Sequence, residues 1–506
     1  MLHGPLRPTL DRVPRGWVRA VTIVVVAGAA TGAQAHGFGQ RFDLPLPLWL
    51  WLTGAGATLV LTFVALALFA RQRDFGSAFL RSVDLLRYAP LRRVAHPLAV
   101  VLRTITCLLF AVTLFAGFFG NQDAYKNLSV TMVWVLWWVG MAFFCALVGD
   151  LWEVVDPLPV LYRAAVRVFG GRDARGSLGW AYPARLGAWP AVVLFFAFAW
   201  AELVWQQKDV PRAIASALLA YAALGWTGML LFGVEVWRSH ADAFALTFRV
   251  LGRFAPLELR SSTPTEPARL HLRPYAAGLL TSEPVSNSVA AFVLLMLATV
   301  TFDGFHQTPL MDRIGTGAQT FRPVAETLFA LSSATGMDET QWLTTVMLLL
   351  FPIGFVLIFR GVGAWMLHLA GRPANGDRAD ADVNAMVWSL VPIAVAYHLA
   401  HYVSLLLTTG QFIIPLASDP FGWGWDLFGT RGHAVDLGIV SPAVYWYGAV
   451  ALIVVGHVLA VIVAHVEATR RFASHRAALR SQLPMLALMV AYTSLSLWIM
   501  AQPIVG

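Results

Sequence analysis

Residues 443–466 read AVYWYGAVALIVVGHVLAVIVAHV, without one Asp, Glu, Lys or Arg. A helix of about twenty apolar residues crosses the hydrocarbon core of a bilayer, so this stretch reads as a membrane span. Nine comparable windows accompany it. They are Leu48–Ala70, Leu98–Phe119, Leu128–Val148, Trp189–Trp205, Ala213–Phe232, Ser286–Phe302, Gln341–Phe359, Met386–Leu407 and Leu483–Met500, with Ala443–Val466 ninth in chain order. The expected fold class is therefore all-α: a polytopic membrane helix bundle of about ten transmembrane helices.

Composition agrees. The chain has 506 residues, 58% hydrophobic and 13% charged, with a mean hydropathy of +0.66; soluble domains carry about 25% charge. The net charge of +8 does not point to nucleic acid, because the cations are arginines in short loops between apolar segments. Cys107 and Cys145 both fall inside apolar windows, which argues against a disulfide framework and a cysteine-rich metal site.

Ahead of the first span, residues 1–35 have the plan of a cleaved signal peptide. Arg7, Arg12, Arg15 and Arg19 precede the apolar run Ala20–Ala30, and Ala33-Gln34-Ala35 offers a small-x-small cleavage site. Residues 36–506 are then expected to form one transmembrane domain with both termini extracytoplasmic. Charge supports this orientation. The inward loops 71–97, 149–188, 233–285, 360–385 and 467–482 hold 24 Arg, whereas the outward segments hold 7 basic residues. Loop 233–285 contains a polar linker at 261–267, and loop 303–340 is expected to carry a short helix around Val324–Leu331.

Ionisable groups inside a membrane are costly and mark function by default. His398 and His401 lie three apart in Tyr397-His398-Leu399-Ala400-His401-Tyr402, hence on one helix face. At a rise of about 1.5 Å per residue, His401 lies about 9 Å below the outer surface, His398 about 13 Å and His457 about 21 Å. These three are expected to converge on a divalent metal ion of zinc or copper type, which would turn bound water into hydroxide near neutral pH. Histidines bonded to backbone carbonyls and pinning helices are the structural alternative. His465, about 33 Å deep, belongs near the inner face. Cleavage after Ala35 would make His36 the N-terminus, with an amine and an imidazole for one metal. Asp303 and His306, at the outer end of the sixth span, could position the water or act as general base, or Asp303-Gly304 could simply end the helix. Glu202 is expected to orient a histidine or reach the headgroups. Asp150, Glu153 and Asp156 are expected on a solvated face. Trp423 and Trp425, in the loop 418–430, could form a lid over an apolar substrate or part of an interfacial belt. There is no Gly-Lys-Ser/Thr loop, Gly-x-Ser-x-Gly elbow or His-Glu-x-x-His pair, so ATP-driven transport and serine-hydrolase chemistry lack support.

Several strings carry a resemblance. His36-Gly37-Phe38-Gly39-Gln40-Arg41-Phe42-Asp43-Leu44-Pro45-Leu46-Pro47, Phe302-Asp303-Gly304, Tyr397-His398-x-x-His401-Tyr402 and Asp419-Pro420-Phe421-Gly422 resemble a family of bacterial multi-pass membrane proteins that carry the name fenitrothion hydrolase. The resemblance implies hydrolysis of organophosphate triesters such as fenitrothion, giving a nitrophenol and a dialkyl thiophosphate; it assigns no catalytic residues. The implied partners are the lipid bilayer and an apolar small molecule. A transporter, or a haem- or metal-binding membrane protein using the same histidines, is the competing expectation.

Overall fold

The computed structural model describes residues 46–69, 81–169, 176–260, 268–281, 283–374, 376–472 and 474–502. The expected signal peptide, His36 and the linker 261–267 lie outside them. Among the described residues, nine helices are long and apolar enough to cross a membrane, and a shorter apolar helix makes a tenth segment. In chain order they are α1 (Leu48–Phe69), α2 (Ala89–Phe119), α3 (Leu128–Leu147), the short α4 (Trp189–Leu203), α5 (Pro211–Phe232), α6 (Asn287–His306), α7 (Glu339–Leu369), α8 (Val391–Thr408), α9 (Pro442–Arg471) and α10 (His475–Met500). Every expected span has its helix. The chain is thus an all-α, multi-pass membrane bundle.

Cap chemistry sets several helix starts. Asp338 and Gln341 form a reciprocal capping box at α7, and Ser286 and Ser441 accept from backbone amides at the starts of α6 and α9. α6 is buried along almost its whole length. α1, α2 and α7 ring the bundle and turn outward residues such as Leu61, Val101, Leu108, Leu349 and Leu357, the surface that hydrocarbon chains cover.

Helices α8 and α9 approach each other closely. A Cβ built at Gly456 would stand 2.2 Å from the Ala396 Cβ and 2.7 Å from the Pro392 carbonyl oxygen. One partner is backbone, so a side chain must separate the helices. Gly456→Ala is expected to cost about 1–3 kcal/mol, read as a lowered thermal midpoint of the purified protein in detergent. An unchanged midpoint would mean that the helices pack less tightly than this.

Loop 233–285, expected to face inward, departs from a plain loop. At Gly233 (φ 92°) the chain reverses, and helix Val234–His240 climbs back along α5 with Trp237 against Gly228 and Gly225. Asp242 thereby reaches Tyr221, midway along α5, and accepts its hydroxyl at 2.8 Å. Asp242 also caps the next helix, Ala243–Phe254, accepting from the amides of Phe244 and Ala245. That helix descends again: Phe244 packs on Trp137, Phe248 on Trp152 and Gly252 on Asp150. Residues 234–254 therefore form a re-entrant helical hairpin, permitted at that depth because it is enclosed by protein.

This hairpin corrects the reading of Asp150, Glu153 and Asp156 as a solvated face. Asp156 is 2% and Arg238 4% exposed; Arg238 pairs with Asp156 at 3.3 Å and with Glu153 at 3.1 Å. Carboxylates so placed require a buried cation, and the re-entrant helix delivers one. Beyond the hairpin, β2 (Leu257–Arg260) and β3 (Arg269–Leu272) pair antiparallel, and β3 also pairs with β1 (Val83–Asp84). On the opposite side, the loop after α6 forms two helices, Pro309–Thr320 and Arg322–Thr335, the second containing the expected Val324–Leu331.

Candidate functional site

Asp303 does not end α6. The helix continues to His306, and Asp303 is 7% exposed inside the bundle. The bare Cα of Gly304 makes room for α8: a Cβ there would stand 2.3 Å from the Tyr397 hydroxyl oxygen. This close approach holds Asp303 against the α8 motif. Its Oδ2 accepts the Tyr402 hydroxyl at 2.7 Å and lies 2.8 Å from His401 Nε2. Gln307 reaches Oδ1 at 3.4 Å.

Residues four apart on α8 stack in two columns, as helical spacing requires. Tyr397 lies parallel to His401, centroids 5.9 Å apart, and His398 packs on Tyr402 at 4.7 Å. His398 faces α3, between Trp138 and Phe143, both at 5.9 Å. Its Nε2 is buried without a hydrogen-bond partner. A π-helical run at Thr131–Gly140 widens α3 here, a distortion common at functional positions. It directs Trp138 Nε1 to Glu202 Oε1 at 2.9 Å and Trp134 Nε1 to the Lys208 carbonyl at 2.8 Å. Lys208 Nζ in turn donates to the Glu202 carbonyl oxygen at 3.0 Å. Glu202 thus stands over the site and within electrostatic range of Asp303. Its own segment gave no sign of the indole that places it.

The remaining candidates separate. His306 turns towards α7, with Nε2 3.5 Å from the Thr344 hydroxyl. His457 donates Nδ1–H to the Ile453 carbonyl at 2.8 Å and packs on Tyr492 of α10 at 6.0 Å; the Tyr492 hydroxyl shares a short hydrogen bond with Thr301. Helices α8 and α9 are neighbours, as expected, but Gly456 occupies their contact. One residue turns an α-helix by about 100°, which carries His457 away from His398 and His401. His465 sits towards the C-terminal end of α9, bonded to Gln482 at 3.0 Å.

Among the described residues, no three His, Cys, Asp or Glu side chains are grouped to hold a metal ion. Of the expected zinc- or copper-type donors, His36 lies outside the described residues. His457 faces another helix, and the Asp303 oxygen beside His401 already accepts from Tyr402. Nor does the aromatic loop sit free: Phe421 and Trp423 pack on Phe115 of α2 at 5.2 and 6.1 Å, and Asn121 donates to the Phe421 carbonyl.

What the chain does bring together is a carboxylate, an imidazole and a phenol buried inside the bundle. A carboxylate bonded to one ring nitrogen fixes the tautomer and stabilises the protonated ring, leaving the other nitrogen to take a proton. No family model, curated protein or solved structure matches this chain.

Proposed function

We propose that this protein is a membrane-embedded hydrolase of apolar phosphotriesters, with the Asp303–His401 pair as its general base. The observation that carries the reading is the 2.8 Å contact between His401 Nε2 and Asp303 Oδ2 inside the outer half of a membrane bundle. The resemblance to the fenitrothion hydrolase family supplies the substrate class. Such triesters partition into lipid, so a site at this depth meets concentrated substrate. The same resemblance implies a bacterial cytoplasmic (inner) membrane, and the arginine asymmetry supports a site on its extracytoplasmic side.

In this mechanism, water gives its proton to His401 Nδ1 as its oxygen attacks phosphorus, and Asp303 stabilises the imidazolium. The phosphorus–aryl oxygen bond breaks and the nitrophenolate leaves with the bonding pair. Because that leaving group is a stable anion, no strong general acid is required. Tyr402 keeps Asp303 aimed, and Glu202 holds Trp138 against His398.

The test is nitrophenol release from fenitrothion by membranes containing the wild-type chain or His401→Ala at equal abundance. Release by the wild type that disappears in the variant is expected. Absence of release from wild-type membranes would remove the hydrolase reading.

A further inference from the structure

Two buried networks of titratable side chains lie on opposite sides of one aromatic layer. The inner network is built on the re-entrant hairpin. Arg238 joins Glu153 and Asp156, Arg249 reaches Glu153 at 3.8 Å, and Asp242 holds the Tyr221 hydroxyl. Asp150 accepts the Glu153 amide at 3.1 Å. From α2, Arg103 spends its Nε on the Val154 carbonyl at 2.8 Å. Four carboxylates therefore share the two guanidiniums that pair with them, Arg238 and Arg249, and of these Arg238 alone is fully buried. In a low dielectric, carboxylate in excess of its counter-charge takes up a proton instead of remaining bare.

The outer network is the one around Asp303, with His401, Tyr402 and Glu202. It bears an independent mark of the same need. His398 is 9% exposed, and its Nε2 has no hydrogen-bond partner. An imidazole nitrogen buried in this way, against Tyr402 and Trp138, is a site where a proton can be taken or given.

Side-chain contacts connect the two networks. Tyr221, bonded to Asp242, packs on Phe244 at 5.2 Å; Phe244 packs on Trp137 at 4.5 Å and on Trp138 at 6.3 Å. Trp138 then donates to Glu202 and faces His398. Intramembrane carboxylates and histidines arranged in series are the parts of proton relays, and broken helices are found where such paths run.

We infer that the protein carries protons across the membrane through these two networks, with Phe244, Trp137 and Trp138 as a closed septum between them. The inner network exchanges protons through the Glu153 side, where Glu153 and Arg249 remain partly exposed at 23% and 31%. The outer network exchanges them through His401. The packed rings carry no proton themselves, so transfer requires the septum to move, and the flux is that of a transporter and not of an open pore. The transport moves positive charge and makes or breaks no other bond. It shares His401 and Asp303 with the proposed base but also needs Tyr221 and Asp242, which that base does not use, so the two readings are tested apart.

The experiment uses the purified full chain in vesicles of phosphatidylcholine and phosphatidylglycerol that enclose a pH-sensitive dye. Valinomycin and a potassium gradient supply the driving potential. Wild-type vesicles are expected to change internal pH faster than empty ones, and Tyr221→Phe and Asp242→Asn to bring the rate down to that of empty vesicles. Tyr221→Phe removes a single hydroxyl and carries the test if Asp242→Asn does not fold. Nitrophenol release is measured in parallel and is expected to survive Tyr221→Phe, so the failure of either reading is seen separately. Wild-type flux no faster than that of empty vesicles, or flux that survives Tyr221→Phe, would overturn the inference.

Discussion

Asp303→Asn is expected to lower nitrophenol release by about 10²–10⁴-fold, the range that a positioned general base contributes. The reason is local. Asparagine fills the same space and still accepts a hydroxyl, so Tyr402 keeps a partner and the helix contact through Gly304 is undisturbed. It cannot stabilise a protonated His401, and its amide can hold the ring in the wrong tautomer. Tyr402→Phe removes one of the two donors on Asp303 Oδ2 and leaves the charge in place. Its expected effect is smaller, about the 1.5–3 kcal/mol of one hydrogen bond to a charged group. The comparison is made on kcat in detergent-purified protein whose thermal midpoint matches wild type. Full activity in folded Asp303→Asn would exclude the carboxylate from the chemistry.

Arg238→Ala is expected to give the largest loss of stability in the molecule, about 3–5 kcal/mol. The guanidinium lies 3.1 Å from Glu153 and 3.3 Å from Asp156, and removing it strands Asp156, which is 2% exposed. A charge left alone there costs more than the pair ever contributed, since desolvation is no longer offset. Supporting evidence would come from the double variant Arg238→Met/Asp156→Leu, which replaces both partners by apolar groups and is expected to recover much of the loss. The readout is the thermal midpoint of each purified variant. A single variant as stable as wild type would show that water reaches Asp156 and that the hairpin is not enclosed.

Much of this architecture was legible in the chain. Ten apolar windows became ten helices because bilayer thickness sets a length that composition alone reveals. The hairpin was hidden for the same reason: Glu235, Arg238, Asp242 and Arg249 break any apolar window, although protein enclosure lets them lie deep. The short strands carried no alternation to read; β1 has two residues. At the site, Asp303, His398 and His401 were visible as ionisable groups in apolar surroundings, and the fold brings Asp303 and His401 into contact. The place of His457 was not visible. Depth follows from counting residues, but facing direction changes by about 100° per residue, and here it is set by the Gly456 contact with Ala396 and Pro392. Glu202 was underrated for a different reason, because the indole that positions it belongs to α3. Asp303-Gly304, read as a possible helix end, instead continues α6, since Gly304 is needed where Tyr397 arrives from another helix.

A double-mutant cycle on nitrophenol release tests the central claim most directly: that Asp303 and His401 act as one unit. Wild type, Asp303→Asn, His401→Ala and the double variant are assayed at equal abundance and equal fold. Groups that work together are strongly non-additive, so the double variant is expected to be no slower than the slower single one. Two losses that multiply, or a wild type that releases no nitrophenol, would contradict it.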